Sequence, residues 1–168
     1  MLPKEVAGRR AAEYIETGMV VGLGTGSTAE FAIRAIGERV AAGLEVKAIP
    51  TSEASAQLAG ELGITLTTLE DDPAVDLTID GADEVDPDLD LIKGLGGALL
   101  REKIVASATA RQVIIIDPSK LVKKLGTQAR LPIEVVPFSW SLVCNRLSER
   151  GIEPTLRMQQ AEQPFVTD

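Results

Sequence analysis

The 168-residue chain predicts an α/β fold, a mostly parallel sheet flanked by helices, with a partial C-terminal α+β subdomain. Three observations carry that prediction. Short apolar runs alternate with stretches of helical period through about residue 130, the pattern of a sheet whose parallel strands are joined by helices. Glycines stand where the helical stretches stop, at Gly18, Gly63 and Gly151. Beyond Leu131 the alternation gives way to one helical stretch among short strand-like runs. The expected division is therefore an α/β domain over 1–130 and an incomplete small α+β domain over 131–168.

The elements follow in order. Residues 3–17 read as helix, with Pro3 suited to a first turn and Val6, Ala7, Ala11, Tyr14 and Ile15 recurring at steps of three and four. Residues 19–23 form an apolar run into a glycine-rich turn, and Ser27 or Thr28 is expected to cap a helix reaching about Ala42. Next come a strand over 44–49, a turn at Pro50-Thr51-Ser52, a helix over 53–62 and a strand over 64–69. A strand over 75–79 leads into a long acidic loop, 80–97, and then a helix over 98–109. Long loops of this kind usually carry function. Residues 112–116 are nearly all apolar and read as a fully buried strand closed by Asp117-Pro118-Ser119-Lys120. The remainder reads as strand (133–136), helix (139–150) and two more strands (153–158 and 165–167). A piece of about 37 residues buries too little apolar surface to stand alone, so it is expected to lean on a partner or on further chain.

Composition removes several functions. Lys plus Arg number 17 against 25 Asp plus Glu, a formal charge of -8 that repels a polyanion, so no nucleic-acid partner is expected. No apolar run approaches the ~18 residues of a membrane span, so no membrane partner is expected either. The chain has no histidine, which removes Ser-His-Asp and Cys-His nucleophiles and His-ligated metals. Its one cysteine, Cys144, has no partner for an internal disulfide. With no signal-like opening, these features lead to an expected cytoplasmic location. Proton transfer then falls to Asp, Glu, Lys or Tyr.

Three segments carry candidate chemistry. The first is Gly22-Leu23-Gly24-Thr25-Gly26-Ser27-Thr28. Glycines let a backbone approach a ligand, and the helix that follows aims free N–H groups at an anion, with Thr25, Ser27 and Thr28 adding hydroxyl donors. A tight strand-to-helix joint with a hydroxyl cap explains the same residues. The dinucleotide fingerprint fails because its third glycine comes one place early, at Gly26, and the second strand ends in Pro50-Thr51-Ser52 without a ribose-binding acid. No lysine follows Gly26 as a Walker loop requires. A small phosphorylated ligand fits better than a nucleotide.

The second segment, Asp80-Gly81-Ala82-Asp83-Glu84, lies at the carboxyl end of an apolar strand, where α/β sheets bind ligands. Asp80 and Asp83 are its candidates; Asp86, Asp88 and Asp90 read as turn formers. The carboxylates are too generic a pattern to indicate magnesium, and no metal is expected. In the third segment, Lys93 to Lys103, the helical wheel puts Glu102 among Ala98, Leu99, Val105 and Ala106. A carboxylate on so small and apolar a face is desolvated, which strengthens it as a base. Lys93 stands ready to neutralise charge beside it, Lys120 follows another strand end, and Lys4 is a weaker candidate in the first helix.

Together these blocks resemble one family, the A-type ribose-5-phosphate isomerases. Gly24-Thr25-Gly26-Ser27-Thr28, Pro50-Thr51-Ser52, Asp80-Gly81-Ala82-Asp83-Glu84, Lys93-Gly94 through Arg101-Glu102-Lys103, and Asp117-Pro118-Ser119-Lys120 stand in the family's order. The resemblance implies Glu102 as proton acceptor, assisted by Asp80, Asp83 and Lys93. It implies substrate binding by Thr25, Gly26, Ser27 and Thr28, by Asp80, Gly81, Ala82 and Asp83, by Lys93, Gly94, Leu95 and Gly96, and by Lys120 with Lys4 at the phosphate. It further implies a small phosphorylated sugar as substrate, no cofactor, and a homodimer or higher homo-oligomer. Two departures accompany it. Leu95 interrupts a run that is often four glycines, and similar proteins continue beyond Asp168, so the chain is expected to be cut short. The implied reaction interconverts D-ribose 5-phosphate and D-ribulose 5-phosphate through an enediolate. The competing readings are a CoA transferase-like enzyme of related fold and a non-catalytic sugar-phosphate sensor.

Overall fold

The computed structural model describes residues 1–160 and 163–168. The chain forms two compact units, Met1–Leu131 with Asp168, and Pro132–Thr167. In the first, α1 (Pro3–Ala12), β1 (Val20–Leu23), α2 (Ser27–Ala41), β2 (Lys47–Pro50), α3 (Glu53–Glu61), β3 (Thr65–Leu66) and β4 (Val75–Gly81) follow one another. A small hairpin of β5 (Glu84–Val85) and β6 (Leu91–Ile92) precedes α4 (Leu99–Ser107) and β7 (Thr109–Ile115). Five strands make one parallel sheet in the order β3-β2-β1-β4-β7, the α/β architecture expected from the alternation.

The two faces of this sheet differ. Val21, Leu23, Ala48, Leu77 and Ile79 pack with Ala11, Ala12 and Ile15 and with Ala32, Ile33 and Ile36 of α2 into the main core. Each valine, leucine or isoleucine among them contributes about 1.5–3 kcal/mol when fully buried. Alternation sends Val20 and Ile49 the other way, into a smaller cluster with Val75 and Val105 of α4. On that second face Gly22 stands opposite Thr78 in register, and a Cβ at Gly22 would lie 2.0 Å from the Thr78 hydroxyl. The missing side chain at Gly22 thus makes room for Thr78 on β4.

Several boundaries depart from the periodicity. Helix α1 stops at Ala12, not residue 17, because the Tyr14 and Ile15 amides reach back only three residues, to Ala11 and Ala12. That tightening turns Ile15 wholly into the core. Neither Ser27 nor Thr28 caps α2; Gly26 occupies the cap at φ 99°, a conformation that favours glycine. The long loop contains the β5–β6 hairpin. Strand β7 begins at Thr109 and is not fully buried: it is the sheet's edge, with Ala110, Arg111 and Gln112 exposed and Arg111 stacked 4.7 Å from the Tyr14 ring.

In the second unit the helix is close to expectation, a short 3₁₀ turn (Pro137–Ser139) leading into α5 (Trp140–Ser148), and Gly151 follows at φ 76°. The strands are not where the apolar runs put them. Residues 133–136 form none, being closed by Pro132 and Pro137, which bring no N–H to a ladder. Residues 153–157 and 165–167 form none either. The observed strands are β8 (Met158–Gln160) and β9 (Gln163–Pro164), paired antiparallel. No described residue of Pro132–Thr167 is buried.

Candidate active site

Strand order reverses between β1 and β4: the chain moves outward from β1 through β2 and β3, then returns to β4 on the other side. Such a switch point opens a crevice beyond the strand carboxyl ends. A cleft of about 130 Å³ lies there, walled by Thr25–Thr28, Gly81–Asp83, Lys93, Gly94, Gly96, Glu102 and Lys120. These include most of the residues singled out from the sequence. Leu95 and Lys4 are not in the wall, and Asp80 lies beneath it with no exposed surface. A larger hollow of about 590 Å³ lies among Gly18, Gly43, Lys47 and Asp72, where its lysine and aspartate are already paired at 2.9 Å.

One end of the cleft suits an anion. The first amides of α2 point out of the helix without intrahelical acceptors, and Ser27 and Thr28 sit at that end. Lys4 reaches across from α1 to donate to the Ser27 hydroxyl at 2.8 Å, and lies 3.9 Å from Asp117. The Ser119 hydroxyl and amide, with Lys4 and Lys120 beyond, hold the Asp117 carboxyl below its ordinary value. The turn that presents Lys120 is thereby fixed.

The other end holds a buried charge cluster. The Thr25 amide (3.1 Å) and the Gly81 amide (2.7 Å) donate to Asp80 Oδ1, and Lys93 Nζ donates to Oδ2 at 3.0 Å. Gly24 permits this approach, since a Cβ there would lie 2.3 Å from Asp80 Oδ1. By contrast, a Cβ at Gly81 would meet nothing closer than 3.8 Å, and one at Gly96 only the Thr25 methyl at 4.0 Å. Lys93 also donates to the Gly81 carbonyl and lies 3.2 Å from Glu102 Oε2. That contact is an ion pair without an aligned hydrogen bond, so Oε2 is buried with no hydrogen-bond partner. Glu102 is 5% exposed. Burial pushes its carboxyl above the ordinary value, the Asp80 charge adds to the rise, and Lys93 offsets part of it. The helical wheel placed this residue correctly.

Other placements were less visible in the sequence. Asp83 accepts the Leu95 amide at 2.9 Å, tying the two loops together. Leu95 adopts no positive φ, whereas Gly94 (103°) and Gly97 (85°) do, so a side chain is tolerated at the interrupted glycine. Asp86 accepts the Asp88 and Asp90 amides, the turn-forming role expected for that group. Glu84, read only as part of the acidic run, is fully buried and accepts the amides of Gly126 (2.6 Å), Gln128 and Ala129 (2.6 Å). The Thr25 hydroxyl, expected to serve a bound anion, lies 2.7 Å from Thr51 Oγ1 and 3.5 Å from Ser55 Oγ instead. Ser55 belongs to none of the segments that the sequence marks as candidates. A run of hydroxyls, Thr51-Ser52 and then Ser55, beside a glycine loop was the signal available.

The assembly can take a proton at one end and hold an anion at the other. A family model described as ribose 5-phosphate isomerase A (phosphoriboisomerase A) matches residues 47–168. A ribose-5-phosphate isomerase A from Gloeobacter violaceus is 57% identical over 166 residues, covering 98% of this chain and 72% of the relative. One from Roseiflexus castenholzii is 54% identical over 164 residues, covering 96% and 70%. Among solved structures, ribose 5-phosphate isomerase A from Methanocaldococcus jannaschii superposes with a TM-score of 0.93 at 42% identity, covering 99% of this chain and 75% of that one. A D-ribose-5-phosphate isomerase in complex with phospho-erythronic acid gives 0.94 at 38% identity, covering 99% and 74%.

Proposed function

We propose, for a chain that belongs to the ribose 5-phosphate isomerase A family, that it interconverts D-ribose 5-phosphate and D-ribulose 5-phosphate through an enediolate, with Glu102 as the base. The observation that carries this is Glu102 itself, a buried carboxylate with raised proton affinity in the cleft wall, 3.2 Å from an ammonium. Glu102 removes the proton from C2 of the open-chain aldose and returns it to C1, while the hydroxyl proton on O2 passes to O1 with the help of Asp83, so that the carbonyl moves by one carbon. Lys93 stabilises the enediolate oxygen. Asp80, enclosed and committed to Lys93 and two amides, holds that ammonium in place, leaving Asp83 to take sugar hydroxyls and assist ring opening.

The phosphate binds at the start of α2 with Ser27, Thr28, Lys120 and Lys4. A phosphorylated sugar acid bound to a relative of the same fold supports an anion-holding pocket of this kind. Binding energy from the phosphate positions C1 and C2 at Glu102, so the dephosphorylated sugar reacts poorly. Each step uses the chain's own side chains. The reading places the protein in the non-oxidative pentose phosphate pathway, in the cytoplasm, as a homodimer or larger homo-oligomer, with catalysis in 1–130 and the small domain in 131–168. The relatives named above favour neither a CoA transferase-like enzyme nor a sensor.

Glu102→Gln is the test. Turnover in a coupled isomerase assay falls at least ~10²-fold while phosphate affinity is retained, in line with the loss of a general base. Wild-type protein exchanges the transferred hydrogen with solvent deuterium. Near-normal turnover in the variant would falsify the assignment.

A further inference from the structure

The hydroxyls between the glycine loop and α3 have a direction that can be counted. A hydroxyl carries one proton. Thr51 Oγ1 donates its proton to the Leu23 carbonyl at 3.0 Å, and Ser55 Oγ donates to the Gly24 carbonyl at 2.6 Å. Both protons are therefore committed to the loop backbone. It follows that Thr25 is the donor in its 2.7 Å bond to Thr51, and Ser52 the donor in its 2.9 Å bond to Ser55. Ser52 Oγ in turn accepts the Ser55 amide and caps α3. Thr51, Ser52 and Ser55 are at most 4% exposed, so none has solvent as an alternative partner.

This network grips two consecutive carbonyls of the loop, at Leu23 and Gly24, and the side chain of the next residue, Thr25. The Thr25 amide in turn donates to Asp80, which holds Lys93 beside Glu102. We propose that Thr51 and Ser55 are positioning residues for the reaction: from α3 and the turn before it they set the glycine loop at the anion-binding end of the cleft and fix Thr25 as an internal donor. Thr25 therefore offers no hydroxyl proton to a phosphate, and that work falls to Ser27, Thr28 and the amides of α2.

The inference rests on the function proposed above, and its test separates the two. Steady-state constants for ribose 5-phosphate and the dissociation constant for inorganic phosphate are measured on Thr51→Val, Ser55→Ala and Thr25→Val. Expected is a rise in KM and in the phosphate constant of about 3- to 10-fold for Thr51→Val and Ser55→Ala, the size of a hydrogen bond's net contribution, with kcat changing less. A purely structural role would lower the active fraction and hence kcat, leaving KM alone. Thr51→Ser restores the parent values. Because Thr25 and Thr51 share one bond, the double variant Thr25→Val/Thr51→Val is no worse than the poorer single. Unchanged KM and phosphate affinity in folded variants, or additive effects of Thr25→Val and Thr51→Val, overturn the proposal. If Thr51→Val does not fold, Ser55→Ala and Thr25→Val carry the same comparison. A parent that binds phosphate but does not isomerise the sugar defeats the functional reading, while the phosphate constants still decide this one.

Discussion

Glu84 and Glu102 are both glutamates of the sheet unit and both are buried, at 0% and 5% exposure, yet their surroundings push them in opposite directions. Around Glu84, burial raises the proton affinity, but the amides of Ala129, Gln128, Gly126 and Thr127 outweigh it and the carboxyl ends below its ordinary value. Around Glu102, burial leads, Asp80 adds to it, and the Lys93 ammonium offsets only part, so the carboxyl ends above. Burial alone does not make a base. What separates the two is the number of donors aimed at the oxygens: a full set makes a clasp for the 126–129 turn, and an incomplete set leaves a group that gains by taking a proton.

That contrast can be broken at either residue. The largest effect belongs to Glu102→Gln, with turnover lost by ~10² to 10⁴-fold, the range of general acid–base catalysis. Lys93→Met comes next: turnover falls by about 10²-fold, as when one stabilising donor is removed, and the acid limb of kcat/KM moves to higher pH because the cation that restrained Glu102 is gone. Glu84→Gln sharpens the contrast from the other side. It lowers the melting temperature of the protein, since three amides lose a charged acceptor, while kcat of the folded enzyme stays close to the parent's.

The smallest effects are those of pH on stability, and their signs are opposite. Between the unfolded glutamate value near 4.3 and the raised value of Glu102, the folded state binds more protons than the unfolded one. Stability from this group therefore falls as pH rises through that window, and Glu102→Gln melts slightly higher than the parent at neutral pH, with the gain fading below the window. Glu84 is depressed, so its contribution is present above the unfolded value and is lost as pH falls through the folded one. Thermal melts of parent, Glu102→Gln and Glu84→Gln across pH 3–8 check both.

Periodicity reached the parts of this contrast that are local in sequence. Glu102 was legible because its neighbours at helical spacing, Ala98 and Val105, are small or apolar and buried. Asp80 was legible because the apolar run of β4 stops at Ile79, just before it; Asp80 itself stands one residue short of the strand's last, Gly81. Glu84 was not, because its partners lie more than forty residues away and donate from backbone, which has no sequence signature. Ser55 was hidden inside an alanine-rich helix, where only its distance to the Gly24 carbonyl reveals its use. Between Pro132 and Thr167 apolar runs suggested strands, yet a strand needs a neighbour with free N–H and C=O groups, and prolines at 132, 137 and 154 interrupt the supply.

The uneven spacing around the cleft glycines has a use in redesign. At Gly24, which is outside the cleft wall, the Asp80 carboxyl leaves room for a hydrogen atom and nothing more, so no side chain can be added there. Gly81 and Gly96 line the cleft where an added Cβ would make only ordinary contacts, at 3.8 Å and 4.0 Å, and neither has a positive φ, so alanine fits there without strain. Narrowing the cleft by one methyl at a time is therefore a route to sorting shorter sugars from longer ones without replacing any acid or base of the site.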